Sequence, residues 1–530
     1  MEIYRGECIS EGISTGKIKV LKRNLPTVTV SLAEPVTEYG IFSDALNLAR
    51  KELKAFIENT DADKTVKEIL NIHLMMSEDE DYINAVRDYI FDSHYTASYA
   101  VYMAGESFAN MLSASGDEYT ALRGDDIRDV SERIIGCISG NKEKMPVTDE
   151  AVIIAADELL PGDIAQLRRD RISACIVKTG AYNSHFSILA RTMNIPVISN
   201  IEIKDGFDGK TAIVDTFEKT VYINPDKNII EKAKIRMSDV KDKEEIFAQT
   251  KYEKAVFKDG REILVCANAM SADDVMFAIE NGADGIGLFR SEFIYLNKTA
   301  FPDEDEQFEI YSDILRKANN KEVVIRTLDT DSDKFAPYMH ETADSHKQLR
   351  GIGFSLKYPH ILKTQLKALM RAAVFGDLSV MYPMIMNLEE LDRIEEILKE
   401  AEKELICEGK KYGNFASGIM IETPDAVNVS DEFSQKADFI SIGTNDLIRY
   451  TFNKDRNTKY VLTENEEDML FDMIKTVCDN ARKNGIKVSV CGEMASDSFY
   501  CERLILSGVD KLSVLPKKIP EIKYKINTKV

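Results

Sequence analysis

The chain contains 530 residues, of which 44% are hydrophobic and 30% are charged. At about 150 residues per domain, this length predicts three to four domain-sized units, and the apolar fraction excludes a mostly disordered chain. The 68 Lys and Arg residues against 90 Asp and Glu residues give a net charge of −22, which argues against nucleic acid or an anionic membrane as the main partner. A small polyanionic substrate can bind only where local cations reverse this field.

The chain start and the cysteines indicate a reducing location. No apolar core follows a basic start at the N-terminus, so we expect no signal peptide. The sequence also contains no run of about 18 apolar residues, so we expect no membrane-spanning segment. The eight cysteines lie far apart without a CxxC pair, which favours neither a zinc ribbon nor a disulfide framework. We therefore expect a cytoplasmic protein.

The first 250 residues change character twice. Residues 1 to about 20 are typical of short β-structure with glycine turns, whereas residues 42–140 contain no proline and carry apolar residues at three- and four-residue spacing, the pattern of amphipathic helices. Short apolar runs then alternate with helical sequence, which predicts an α/β unit. We expect an α/β domain from residues 1–35 and 143–225, a helical bundle inserted at 36–142, and a charged helical linker at 226–254.

Residues 255–530 show a regular rhythm of eight apolar runs separated mostly by amphipathic helical sequence. Eight strand–helix units in this length predict a (β/α)8 TIM barrel, and the whole chain is then a multidomain α/β protein. The runs are Ile263–Ala267, Gly285–Leu288, Val323–Ile325, Val380–Ile385, Gly418–Ile421, Phe439–Ile442, Val488–Val490 and Leu512–Leu515.

Polar side chains follow several of these predicted strands. Active sites of such barrels gather at the carboxyl ends of the strands, so these residues predict a site, although charges that merely cap strands are the alternative. They are Arg290, Arg326, Glu422, Asn445, Asp446 and Cys491.

This set of side chains suits a phosphorylated substrate. Two carboxylates offer the hard oxygen ligands that Mg²⁺ takes while it shares a substrate phosphate. Arginine forks match phosphate and carboxylate groups. Phosphoryl transfer requires mostly charge compensation from the protein, and in a chain of charge −22 that compensation must be local.

A histidine in the α/β region is a candidate nucleophile. His185 follows a glycine turn at Gly180 and stands at a predicted helix start, where free N–H groups and the helix dipole stabilise an anionic group. Histidine can act as a nucleophile near neutral pH. The alternative is an ordinary hydrogen-bonded loop histidine.

At these residues the sequence resembles enzyme I of the bacterial phosphotransferase system, the phosphoenolpyruvate–protein phosphotransferases, over nearly its whole length. The barrel carries the specific motifs, and the helical region is similar to the family's insertion. The matching segments are Gly287–Phe293, Gly418–Pro424, Gly443–Leu447, Cys491–Ala495, Ile72–Asp79 and Arg123–Val130.

The resemblance implies a phosphotransferase that needs Mg²⁺, with His185 as the residue that takes the phosphoryl group and Cys491 as the acid that protonates the enolate. It implies Glu422 and Asp446 as the Mg²⁺ ligands. It further implies that the helical insertion docks the small phosphocarrier HPr, that the barrel forms a homodimer, that pyruvate is the product and that sugar uptake begins here. The implied phosphoenolpyruvate ligands are Arg290, Arg326, Arg350, Asn445 and Arg456.

The sequence departs from the family pattern near both predicted centres. Ala181 and Asn183 replace a glycine and a threonine before the histidine, and Asp331-Ser332 replaces a Gly-Gly pair after Arg326. Residues 344–348 also differ from the family's Asn-Pro-x-Leu-Gly. Two alternatives therefore stay open: a weak or regulatory paralogue that binds the carrier without efficient turnover, and a related dikinase or synthase, against which the absence of a P-loop-like glycine motif argues.

Overall fold

The computed structural model describes most of the chain, in two compact units, Met1–Asp242 and Lys243–Val530. No helix within this described part is long and apolar enough to cross a membrane. The described residues are 1–21, 34–59, 64–113, 118–140, 151–159, 172–179, 185–296, 298, 300–329, 350–454 and 462–529.

The first unit is built on one mixed eight-stranded sheet, in the order β1-β8-β7-β3-β4-β5-β6-β2. The run β3-β4-β5-β6 is parallel, and the other pairs are antiparallel. The strands of the chain start therefore pair with strands that lie 130 or more positions later. The strands are β1 Glu2–Arg5, β2 Glu7–Ser10, β3 Ile13–Leu21, β4 Val152–Ala156, β5 Ile172–Val177, β6 Val197–Ser199, β7 Thr211–Asp215 and β8 Thr220–Ile223.

Five helices lie between β3 and β4 and form a core of their own. Their buried side chains, such as Phe42, Tyr82 and Val101, recur at helical spacing and pack together. The Asp79 side chain accepts a hydrogen bond from the backbone N–H of Tyr82 and caps the third helix. The helices are α1 Pro35–Asn59, α2 Lys64–Glu78, α3 Glu80–Phe91, α4 Ala97–Ser113 and α5 Glu118–Ser139.

Two further α-helices lie among the described residues of this part of the chain. Helix α6, His185–Thr192, connects β5 to β6 and packs Phe186 and Ala190 against the sheet. Helix α7, Lys227–Thr250, carries mostly exposed charged residues, and the division between the two units falls within it. The predicted domain boundaries at 35, 142, 225 and 254 stay predictions.

The second unit is a closed barrel of eight parallel strands. Strand β10 pairs with both β11 and β17 and so closes the sheet on itself, while β9 adds to β10 in the antiparallel sense. The strands are β9 Ala255–Val256, β10 Glu262–Ala269, β11 Ile286–Arg290, β12 Val323–Arg326, β13 Leu378–Tyr382, β14 Ala416–Ile421, β15 Phe439–Gly443, β16 Lys487–Cys491 and β17 Lys511–Val514.

Helices surround this barrel and bury their apolar stripes against its outer face. Several begin with side-chain caps, for example Ser271 and Asn387 in capping boxes. They are α8 Ala272–Glu280, α9 Phe293–Leu296, α10 Glu304–Lys317, α11 Ile352–Lys357, α12 Pro359–Ala372, α13 Leu388–Glu408, α14 Pro424–Asn428, α15 Ser430–Ser434, α16 Thr444–Phe452, α17 Glu464–Lys483, α18 Cys501–Leu506 and α19 Ile519–Lys529.

The predicted fold class is confirmed, because each of the eight apolar runs forms a barrel strand in the predicted order. Several boundaries shift by one or more residues, and the largest shift is at the run Val380–Ile385, which stops being a strand at Tyr382. Pro383 has no N–H for the sheet, and Met384 turns the chain with a φ of 57°. This turn leaves the Met384 N–H available to the site.

Candidate active site

Successive strand ends bring most of the predicted residues to one end of the barrel. Arg290, Arg326 and Cys491 are the last residues of β11, β12 and β16. Glu422 directly follows β14, and Asp446 lies in the first turn of α16 after β15. Because all these strands are parallel, their carboxyl ends share one face of the barrel.

Two of the arginines are held by one buried carboxylate that the sequence analysis did not select. Oε1 of Glu292 accepts hydrogen bonds from Arg290 Nε and from Arg326 Nη2, both at 2.8 Å. The Glu292 side chain is 7% exposed. Burial alone would raise the pKa of Glu292, but the guanidinium groups of Arg326 and Arg290 hold it below its usual range. The carboxylate is therefore charged and keeps the two forks side by side.

The same pattern continues to the third arginine. Asp329 lies 2.9 Å from Arg326 Nη1 and accepts two hydrogen bonds of 3.2 Å from Arg350. Asp446 then accepts two hydrogen bonds from Arg350, at 2.7 and 2.8 Å. Bidentate carboxylate–guanidinium pairs fix both position and orientation. Alternating charges thus link the ends of β11, β12 and β15 in one continuous chain.

Glu422 is the carboxylate with the weakest compensation. It is 2% exposed, and its Oε1 lies 3.9 Å from the nearest nitrogen of Arg326. Burial, followed by the negative charges of Asp329 and Asp446, raises the pKa of Glu422 to about 8. Without a further cation beside it, the Glu422 carboxyl group therefore holds its proton at neutral pH.

Two local features of the barrel hold Glu422 in place. The N–H of Met384, freed by the turn after β13, donates a 3.0 Å hydrogen bond to Oε2 of Glu422. Gly443 leaves room for it, since a Cβ there would lie 2.9 Å from Cγ and 3.0 Å from Oε1 of Glu422. This carboxyl group thus occupies the space that a side chain on β15 would fill.

The Cys491 thiol lies in the barrel interior beneath these charges. It is 3% exposed and packs with Leu288, Val324, Met381 and Met420. Burial raises the pKa of Cys491 to about 11, so the sulfur carries its proton at neutral pH. A protonated thiol beside a charged pocket can act as a proton donor.

Asn445 is positioned by the strand ends on both sides of it. Its Oδ1 accepts a 3.0 Å hydrogen bond from the backbone N–H of Glu493, which follows β16. Gly492 makes this close approach possible, because its φ is 141° and a Cβ there would lie 2.2 Å from Thr444 Oγ1. Because this hydrogen bond holds Oδ1, it also fixes the orientation of the Asn445 amide nitrogen.

Several predicted residues fall outside the part of the chain that the structure describes. His185 is the first residue of α6 in the first unit, and its side chain lies outside the described part. Arg456, Ala181, Asn183 and the altered segments 331–332 and 344–348 also lie outside the described residues. Their predicted roles and effects stay predictions.

The carboxylates of this site can supply part of the coordination of a divalent cation. Within the described ranges, no group of three or more His, Cys, Asp and Glu side chains is arranged to hold a metal ion. The pair Glu422 and Asp446 offers oxygen ligands, and the negative charges of Asp329 and Asp446, which contribute to the raised pKa of Glu422, are ones that a cation would offset. Mg²⁺ characteristically uses one or two carboxylates plus substrate phosphate and water.

The sequence analysis missed Glu292 and Asp329, although Glu292 lies within the quoted segment Gly287–Phe293. Each follows a strand-end arginine by two or three positions. A carboxylate at that offset from an arginine near a strand end is the signal that could have identified them.

Comparison with known proteins gives three consecutive family matches. Residues 244–529 match the PEP-binding domain of PEP-utilising enzymes, residues 5–123 match their N-terminal domain, and residues 148–219 match their mobile domain. The phosphoenolpyruvate-protein phosphotransferase of Staphylococcus carnosus (strain TM300) is 34% identical over 524 residues, which is 96% of this chain and 91% of that protein. That of Bacillus subtilis (strain 168) is 32% identical over 527 residues, 97% of this chain and 92% of the relative. The solution NMR structure of Enzyme I covers 45% of this chain and 99% of that chain at 28% identity and a TM-score of 0.38.

Proposed function

Because this chain belongs to the family of phosphoenolpyruvate–protein phosphotransferases, we propose that it transfers the phosphoryl group of phosphoenolpyruvate to His185 and then to a carrier. The family resemblance drawn from the sequence is confirmed, as is the classification as a transferase. The carrier is HPr or an HPr-like protein with an acceptor histidine. The observation that carries the proposal is the chain of three arginines and three carboxylates at the barrel mouth.

The proposed substrate carries the two kinds of anionic group that arginine side chains bind. Phosphoenolpyruvate carries a phosphate and a carboxylate close together. Arg290, Arg326 and Arg350 would bind these groups, with Asn445 and Arg456 as further ligands. Because Glu292 already fixes the guanidinium groups of Arg290 and Arg326, these two side chains need little reorganisation when the substrate arrives.

Glu422 and Asp446 would hold Mg²⁺ in this proposal. When bound, the ion offsets negative charge on the oxygens of the transferred phosphoryl group. Its arrival would also lower the pKa of Glu422, since the carboxyl group would then face a cation. The substrate would displace part of the bidentate contact between Arg350 and Asp446, which frees carboxylate oxygens for the ion.

Cys491 would complete the reaction at the carbon end of the substrate. Once the phosphoryl group has left, the enolate of pyruvate remains. The S–H proton of Cys491 would move to carbon 3 of that enolate and give pyruvate. Burial keeps the thiol protonated until then.

The remaining domain assignments complete the proposal. We assign the α/β phosphohistidine domain to residues 1–35 and 143–225 and the HPr-docking insertion to 36–142, with 226–254 as the linker to the barrel at 255–530. The barrel would also form the homodimer. The proposed reaction takes place in the cytoplasm and begins sugar uptake. Neither nucleic acid nor a membrane is a partner in this proposal.

The test is direct labelling with phosphoenolpyruvate that carries ³²P, in the presence of Mg²⁺. We expect acid-labile label on the wild-type protein, none on His185→Ala, and transfer of the label to added HPr. If folded wild-type protein binds HPr but takes up no label, the transferase proposal is wrong, and the regulatory paralogue takes its place.

A further inference from the structure

The Cys491 thiol has a hydroxyl neighbour in the barrel interior. Ser441 Oγ lies 3.2 Å from Cys491 Sγ, and the Ser441 side chain is fully buried. Among the residues that the structure describes, the thiol is the only hydrogen-bond partner of this hydroxyl. A buried hydroxyl normally satisfies itself on a backbone carbonyl or another oxygen, so its pairing with sulfur requires an explanation.

The register of the barrel accounts for this contact. Strands β15 and β16 pair Gly443 with Cys491 and Ser441 with Ser489. Side chains two positions apart on a strand point to the same face, so Ser441 stands one layer below the level of Cys491. Gly443 contributes no side chain at that level, and the sulfur meets Ser441 instead.

A second contact gives the thiol proton an acceptor. Cys491 Sγ lies 3.7 Å from the backbone oxygen of Ile442, an atom that can only accept a hydrogen bond. The thiol can donate there while the Ser441 hydroxyl donates to sulfur. When the sulfur loses its proton, its hydrogen bond to the Ile442 carbonyl oxygen is lost. The Ser441 hydroxyl can still donate a hydrogen bond to the sulfur. Hydrogen bonds to an ionised partner are the stronger ones.

We infer that Ser441 is a positioning residue for proton donation in the proposed reaction, and that its hydroxyl stabilises the Cys491 thiolate left behind. This inference rests on the proposed function. In the step concerned, the S–H bond of Cys491 breaks and a C–H bond forms at carbon 3 of the enolate, using the electron pair of its carbon–carbon double bond. The S–H pair stays on sulfur, where the Ser441 O–H donates to it, and solvent later returns the proton.

The test compares Ser441→Ala with Ser489→Ala in the full-length protein, with Mg²⁺, phosphoenolpyruvate and HPr. Ser489 is the matched control because it is a buried barrel serine whose hydroxyl contacts the Ile440 backbone oxygen and not the thiol. We expect Ser441→Ala to lower kcat for pyruvate formation by about 10- to 100-fold, the range for losing a hydrogen bond to a charged group. The KM for phosphoenolpyruvate should stay within about twofold, because Ser441 does not touch the anion-binding residues.

Solvent isotope effects separate this role from a purely structural one. Replacing water by ²H₂O should slow Ser441→Ala more than the wild type, since proton donation becomes more strongly rate-limiting, whereas Ser489→Ala should behave as the wild type. If the alanine variant does not fold, Ser441→Cys carries the same test, because a thiol is nearly isosteric but a weaker donor. It should show an intermediate kcat and a raised isotope effect.

The outcomes distinguish the two hypotheses. If the wild type turns over and the Ser441 variants match Ser489→Ala in kcat and isotope effect, only the inference on Ser441 is overturned. If the wild type takes up no label from phosphoenolpyruvate, the proposed function fails and this inference falls with it. A lowered kcat with an unchanged isotope effect also overturns it, since the loss then lies outside proton donation.

Discussion

Glu292 is the residue whose removal tests whether the arginines are preorganised. In Glu292→Gln the amide oxygen can still accept from Arg290 and Arg326, but the charge is lost. We expect the KM for phosphoenolpyruvate to rise several-fold. In Glu292→Leu both hydrogen bonds are lost and the guanidiniums repel each other, so kcat/KM should fall by about 100-fold, since a buried charge loses its partner.

The matched control for Glu292 is Glu304, which also joins several cations. It contacts Lys367, Arg371 and Lys410 on the outside of the barrel, where its side chain is 16% exposed. Glu304→Gln should lower the melting temperature without changing the KM. Equal KM values for Glu292→Gln, Glu304→Gln and wild type would contradict the proposed role of Glu292.

Glu422 predicts how stability depends on pH when no divalent cation is present. Its pKa is raised from 4.5 to about 8, so the folded chain holds this proton more tightly than the unfolded chain. The contribution of the Glu422 carboxyl group to the free energy of unfolding is complete below about pH 4.5. It is lost as pH rises to about 8, by at most about 1.4 kcal/mol per pH unit. Urea midpoints measured in EDTA should therefore fall less steeply across this window for Glu422→Gln than for wild type.

Added Mg²⁺ gives the complementary expectation for the same residue. A bound cation should remove the wild-type pH slope, because it stabilises the ionised carboxyl group. Glu422→Gln should respond less to the ion. Parallel slopes for the two proteins in EDTA would show that Glu422 titrates normally.

At the level of the strands, Gly287 controls how the barrel closes. A Cβ at this position would lie 2.5 Å from Ser513 Oγ, 2.7 Å from Ser513 Cβ and 3.0 Å from Cys266 Cβ. Gly287→Ala would therefore force β11 away from β17 and β10, and we expect a loss of about 1–3 kcal/mol in unfolding free energy. Denaturation curves followed by circular dichroism measure this loss.

A compensating change checks the cause of that loss. Ser513→Gly removes both of the closest atoms. The double variant Gly287→Ala with Ser513→Gly should therefore lose less unfolding free energy than the two single variants lose together. Simple additivity would mean that the clash is relieved in some other way.

The sequence predicted the strands well and the connections between side chains poorly. Periodicity locates the apolar runs, and Arg326, Glu422 and Cys491 were identified because they end or follow these runs. Periodicity does not show which side chains from distant strands meet, so the bridging roles of Glu292 and Asp329 were missed. Ser441 was counted only as part of a strand, because a short polar residue within an apolar run looks like ordinary core.

On the scale of the molecule, each unit has a hydrophobic core of its own. The first unit packs Phe42, Tyr82 and Val101 in one cluster and Ile153, Ile176 and Val214 in another. The barrel has an extensive core around its strands and a smaller cluster in its interior. Domains with separate cores can fold alone, so residues 1–250 and 255–530 should each be stable when expressed separately.

This separation makes the two halves of the proposed reaction testable in isolation. Residues 255–530 hold the described arginines and carboxylates, so calorimetry should detect phosphoenolpyruvate binding that depends on Mg²⁺, with no label retained on the protein. Residues 1–250 contain His185 and should accept label from phosphorylated HPr but not from phosphoenolpyruvate. Direct labelling of residues 1–250 by phosphoenolpyruvate would contradict the assignment of substrate binding to the barrel. An unfolded barrel fragment would instead mean that its core depends on the first unit.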